Sequence, residues 1–92
     1  MFRLVINCDS AEELRLRCAV IGLNADNVIQ TIYNTANKIW NFRESAAKCP
    51  TVEELYEAKQ SFPADHHMWF GASRYNPVQS MLYMMSEELE HE

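Results

Sequence analysis

Residues Asn24–Trp40 read NADNVIQTIYNTANKIW, and the spacing of their apolar side chains decides the fold class. Val28, Ile29, Ile32, Ala36, Ile39 and Trp40 recur on one side of a 3.6-residue period, while Gln30, Thr31, Asn34, Lys38 and Asn41 take the other. Asn24 is a good N-cap, because its short side chain can accept from the free amides of a first helical turn. The pattern predicts the longest helix of the chain, starting after Asn24 and ending near Cys49, where Pro50 cannot continue it.

Working outward, each neighbouring segment carries its own start and stop signals. Ser10-Ala11-Glu12-Glu13 has the spacing of a capping box, with carboxylates at the positive end of a helix dipole. Leu14, Cys18 and Ile21 follow at helical spacing, and Gly22-Leu23 gives the left-handed stop, so a short helix should end at Ile21. After Pro50, Thr51-Val52-Glu53-Glu54 opens a further helix whose buried face is Val52, Leu55, Tyr56 and Phe62, closed by Pro63. Asn76-Pro77 is a cap with proline in the first turn, and Val78, Met81, Leu82, Met85 and Leu89 carry a last amphipathic helix.

Two stretches lack helical period. Phe2, Leu4 and Ile6 alternate with Arg3, Val5 and Asn7, which predicts a short N-terminal strand. Its intrachain partner would be His67–Phe70, and failing that the strand would pair across a dimer. Residues Pro63–Tyr75 are the one long connection and hold Asp65, His66, His67, Trp69, Phe70 and Arg74. The expected fold is therefore mainly α, with α+β as the variant, in one compact domain over residues 1–92: about four helices with a short N-terminal β-strand.

The charge balance narrows the partners. The net charge is −5, but the chain carries six basic and five acidic residues through Pro50, and two basic and eight acidic ones from Thr51 on. No basic run supplies the field that draws in duplex nucleic acid, so nucleic-acid binding is not expected. The acidic half could mimic phosphate charge, although true mimics are more densely charged. No apolar stretch is long enough to cross a bilayer, and the N-terminal run is too short for a signal peptide. Cys8, Cys18 and Cys49 form an odd, widely spaced set, which suits free thiols in a reducing cytoplasm.

Catalytic constellations are hard to draw. Asp65, His66 and His67, with His91 or a cysteine, are the strongest metal candidates. Adjacent histidines in an extended segment point to opposite faces, however, and no second ligand pair shares a surface, so no metal or other cofactor is expected. Cys18 lies on an apolar stripe and reads as core. Cys8, just before a helix N-terminus, is the more reactive thiol, and Cys49 reads as packing. The pairs Glu12-Glu13 and Glu53-Glu54 are explained by capping, and with only Gly22 and Gly71 no phosphate-cradling loop exists.

What is left over is aromatic, methionine and arginine side chains, the types enriched where proteins meet partners. Trp69, Phe70, Arg74 and Tyr75 crowd into the long connection, and Tyr83 and Met84 fall outside the apolar stripe of the last helix. These six are the expected binding residues, weighed against simple core filling. The last helix, apolar on more than one face, together with the unpartnered strand, predicts self-association, most simply a homodimer. The expected function is non-catalytic binding through a protein–protein interface, in the manner of a small inhibitor or accessory factor of bacteriophage type. The alternative is a homo-oligomer that captures a nucleotide-like or anionic small ligand, with Trp69, Phe70 and Tyr75 stacking and Arg74 meeting the charge. An enzyme of unfamiliar type stands third.

Overall fold

The computed structural model describes residues 8–61 and 74–90, with side chains at 61 and 86–90 left aside. Four helices order these residues: α1 Ala11–Val20, α2 Ala25–Trp40, α3 Val52–Ser61 and α4 Pro77–Glu90. The chain is mainly helical, and among the described residues there is no β-strand element. The expected N-terminal strand and its partner at His67–Phe70 lie outside the described residues.

The starts of the helices follow from their caps. The Ser10 hydroxyl accepts from the Glu13 amide at 3.1 Å, and the Glu13 carboxylate reaches back to the Asp9 amide at 2.9 Å. Asn24 Oδ1 accepts from the amides of Asp26 and Asn27. Thr51 and Glu54 close a reciprocal pair, with both bonds at 3.1 Å, and Asn76 accepts from the Gln79 amide. The bonds to Ser10, Asn24, Thr51 and Asn76 oxygens satisfy amides that a first helical turn leaves free.

The ends hold one surprise. Gly22 sits at φ +79°, with its amide on the Ala19 carbonyl and the Leu23 amide on the Cys18 carbonyl at 2.7 Å. That is a Schellman stop, and α1 finishes at Val20 with Ile21 as its C-cap, one residue before the expected end. The long helix does not reach Cys49. It stops at Trp40, because Asn41 adopts the left-handed conformation at φ 54° and its amide bonds back to the Asn37 carbonyl. Asparagine enters that region at little cost, so the sequence contains a stop that apolar periodicity alone does not show.

The stop has a purpose in packing. Turning the chain at Asn41 drives Phe42 inward until it is fully buried, and its ring stacks on Tyr33 with centroids 5.3 Å apart. Ala46 takes a second positive φ, and the loop is pinned when the Tyr33 hydroxyl donates to the Ala47 carbonyl at 2.6 Å. Ile39, expected on the buried stripe, is instead 63% exposed, and Tyr33 takes a core place in the stripe. Ile21, expected to continue the buried face of α1, is likewise exposed, since it lies past the last helical turn.

One core joins all four helices. Leu14 and Cys18 from α1, Val28, Ile29, Ile32 and Ala36 from α2, Val52, Leu55 and Tyr56 from α3, and Met81, Leu82 and Met85 from α4 are all buried. The helix α4 packs on α2 and α3, and α1 lies across the same two. Burial of these aliphatic and methionine side chains, at about 1.5 to 3 kcal/mol each, is what opposes the chain entropy lost on folding.

Candidate functional site

The binding residues expected from the sequence divide three ways. Trp69 and Phe70 lie outside the described residues. Arg74 and Tyr75 form the approach to α4, and both are exposed, Tyr75 at 69%. Tyr83 and Met84 lie on α4 itself and are half-buried against the core.

Arg74 and Tyr75 act as one unit. The guanidinium carbon sits 4.9 Å from the centre of the Tyr75 ring, and Nη2 donates to the Tyr75 hydroxyl at 2.7 Å. The other terminal nitrogen is 3.8 Å from the Glu44 carboxylate. Backbone holds the pair in place, since the Ser45 hydroxyl is 2.5 Å from the Arg74 carbonyl and within reach of the Phe42 carbonyl. The turn that ends α2 thus positions the residues that precede α4. These bonds raise the guanidinium pKa further above its ordinary range, with the Tyr75 hydroxyl as the first cause, so Arg74 is a permanent cation.

Six residues beyond Pro77, about 9 Å along α4, Tyr83 meets Trp40 edge-on with ring centroids 6.4 Å apart. Trp40 in turn stacks on buried Phe42 at 6.2 Å. Trp40 reads from the sequence as a stripe residue, but at the last turn of α2 it is only half-buried and forms the margin of this surface. The signal that could have found it is the left-handed asparagine one residue on, which lifts the end of α2 away from continuous helical burial. Arg74 and Tyr75 are thus exposed just before α4, and Trp40 and Tyr83 are half-buried where the end of α2 meets the middle of α4, with Met84 next along that helix.

The thiols are placed otherwise than their sequence positions suggest. Cys8, Cys18 and Cys49 form no disulfide with one another. Cys8, expected to be the reactive one, is fully buried, and desolvation raises its pKa in spite of nearby Arg17. It hydrogen-bonds the Tyr56 hydroxyl, whose own pKa burial also pushes up, and its carbonyl accepts from Lys59 Nζ at 2.7 Å. Burial overrides the helix N-terminus here, leaving a protonated thiol that packs rather than attacks. Cys18 is core, as expected, and Cys49 is half-buried.

Among the described residues no group of three His, Cys, Asp or Glu side chains could hold a metal ion, and no helix is long and apolar enough to cross a membrane. Asp65, His66, His67 and His91 lie outside the described residues. Compared with known proteins, the chain matches no family model, no curated protein and no solved structure.

Proposed function

We propose that this chain is a non-catalytic binding protein that meets another protein through the surface at the α2–α4 junction. The observation that carries the reading is the Arg74–Tyr75 pair. A large aromatic ring, 69% exposed, is held by a guanidinium stacked on it, just before the helix that carries the half-buried Tyr83 and Met84. Tyrosine, tryptophan and arginine anchor interfaces because they bury large areas at small entropy cost, and a pre-positioned pair loses less freedom on binding.

The small-ligand alternative receives less support from the same geometry. The Arg74 guanidinium already has the Tyr75 hydroxyl and the Glu44 carboxylate as partners, so an incoming anion would meet the like charge of Glu44 beside it. Action as an inhibitor or accessory factor, of the kind small acidic bacteriophage proteins perform, is the finer form of the reading and rests on size and charge profile alone. Three cysteines that form no disulfide with one another suit a cytoplasmic setting.

The test is affinity enrichment from the source cells with the wild-type chain and with Arg74→Ala and Tyr75→Ala, alongside melting curves. Recovery of the same partner should fall at least about tenfold in both variants while their melting temperatures stay near wild type. Equal recovery by all three chains overturns the reading.

A further inference from the structure

Each arginine of α1 has a carboxylate partner. Arg17 pairs with Glu13 at 2.8 Å, and Arg15 pairs with Glu53 and with Asp26 at 3.5 Å. The end of α2 and the turn after it are built the other way. Lys38, Arg43 and Lys48 are exposed, and no carboxylate among the described residues lies within ion-pair distance of any of them. From Asn27 to Pro50 the sequence holds one acidic residue, Glu44, which is 3.8 Å from Arg74 and accepts from the Asn41 side-chain amide.

The fold gathers these charges. The Arg43 amide donates to Asn37 Oδ1 at 3.0 Å and its guanidinium to Asn34 Oδ1 at 2.6 Å, which lays Arg43 back along α2. Lys38 stands one turn beyond Asn34 on the same side of that helix. The Ala47 amide returns to the Phe42 carbonyl at 3.0 Å, so Lys48 leaves the turn beside the point where Arg43 enters it. Ser45 ties the Arg74 backbone to the same turn. Four cations and one carboxylate thus converge where α2 ends, a local charge of +3 in a chain whose net charge is −5.

We infer that this patch receives an acidic segment of another protein. The inference rests on the binding surface proposed above and names the chemistry of its partner. Exposed ammonium and guanidinium groups without a carboxylate of their own are complementary to one brought from outside, and guanidinium can take it through two parallel bonds. The acidic remainder of the chain repels the same segment, so the charge distribution sets orientation as well as place. Ile39 at 63% and Tyr75 at 69% exposure flank the cations and suit apolar side chains set among the partner's carboxylates. A phosphate backbone fits less well, since it sets an unbroken row of charge against Glu44 and leaves Ile39 uncovered.

Amide shifts of the isotope-labelled full chain, titrated with a decameric oligoglutamate at about 50 mM salt, test the patch. They should saturate at Lys38, Arg43, Ser45, Lys48 and Tyr75, and the affinity should fall at least about tenfold at about 500 mM salt, where exposed charges are screened. Lys38→Glu combined with Lys48→Glu, both at exposed positions, should weaken binding at least about tenfold, and the corresponding pair of Gln substitutions at least about threefold. Arg17→Gln, a cation already paired on α1, should bind as wild type. No saturable shift up to about 1 mM probe overturns the inference. So do shifts centred on α1, or a double reversal that binds as wild type. Tighter binding of a decameric oligothymidylate at the same residues overturns it in favour of a single-stranded nucleic acid. Shifts there that grow with protein concentration in the absence of probe overturn it in favour of a second copy. If the double reversal loses helicity, the Gln pair decides. A cellular partner lost by Tyr75→Ala but kept by the charge variants leaves the binding surface in place and removes only its acidic specificity.

Discussion

The Trp40 indole meets the Tyr83 ring at 88° with centroids 6.4 Å apart, tying the last turn of α2 to the middle of α4. Edge-to-face pairs of this kind contribute about 0.5 to 1.5 kcal/mol beyond the area they bury. A double-mutant cycle with Trp40→Phe and Tyr83→Leu, read by urea unfolding, should show a coupling energy in that range. A coupling near zero would mean that the two rings pack independently.

Phe42 should be the costliest truncation outside the helices. It is fully buried and stacked between Tyr33 and Trp40, so Phe42→Ala should lose about 3 to 5 kcal/mol of stability. The cost would show as a lower urea midpoint. A loss under about 1 kcal/mol would contradict the burial described for this turn.

Gly22 offers a cleaner test of backbone strain, because a Cβ added there meets nothing within 4 Å and yet φ is +79°. Gly22→Ala should therefore destabilise by about 1 kcal/mol through conformation alone. Asn41→Gly, at φ 54°, should be neutral within about 0.5 kcal/mol or slightly stabilising. Chemical denaturation of the two variants side by side checks both signs.

Alkaline pH should unfold the protein. Cys8, Cys18 and Tyr56 are all held above their ordinary pKa values, chiefly by burial, so the folded state resists losing those protons. Their contribution is intact below the unfolded thiol and phenol values and declines once pH rises above about 9, as the unfolded chain ionises first. Lys59 has the opposite sign. Burial depresses its pKa, so the cost of keeping it charged in the fold fades as pH rises through that depressed value. With half-buried Cys49, whose pKa burial also raises, four raised groups against one lowered group give a net fall, measurable as a urea midpoint that drops between pH 8 and about 10.5. Tyr56→Phe should flatten the slope, and a midpoint that rises over this interval would show that Lys59 outweighs the others.

The parts of this fold that were legible in the sequence are those governed by neighbours close along the chain. Ser10, Asn24, Thr51 and Asn76 bond amides two or three residues away, and Gly22 closes its own Schellman turn, so helix starts and the first stop need no knowledge of distant packing. Val52, Leu55 and Tyr56 on α3 and Met81, Leu82 and Met85 on α4 were readable as buried for the same reason, since one helix period decides which side is apolar; Val78 is half-buried, and Phe62 and the Leu89 side chain lie outside the described residues. The Asn41 stop was locally encoded too, but apolar periodicity running through Ile39 and Trp40 masked it.

Tertiary structure decided what those apolar residues do. Tyr83 and Met84 look surplus along α4, but α2 brings Trp40 over Tyr83 and half-buries them, whereas Leu16 and Val20, unremarked in a short helix, end exposed. Cys8 looked activated by the helix beginning at Ala11, and only α3, delivering Tyr56 and Lys59 from some fifty residues away, makes it a desolvated and protonated thiol. The sequence by itself determined where helices begin, because capping is a contact across three or four residues. Which apolar and ionisable groups lose water depends on helices that meet only after the chain has closed long loops, and no local period encodes that.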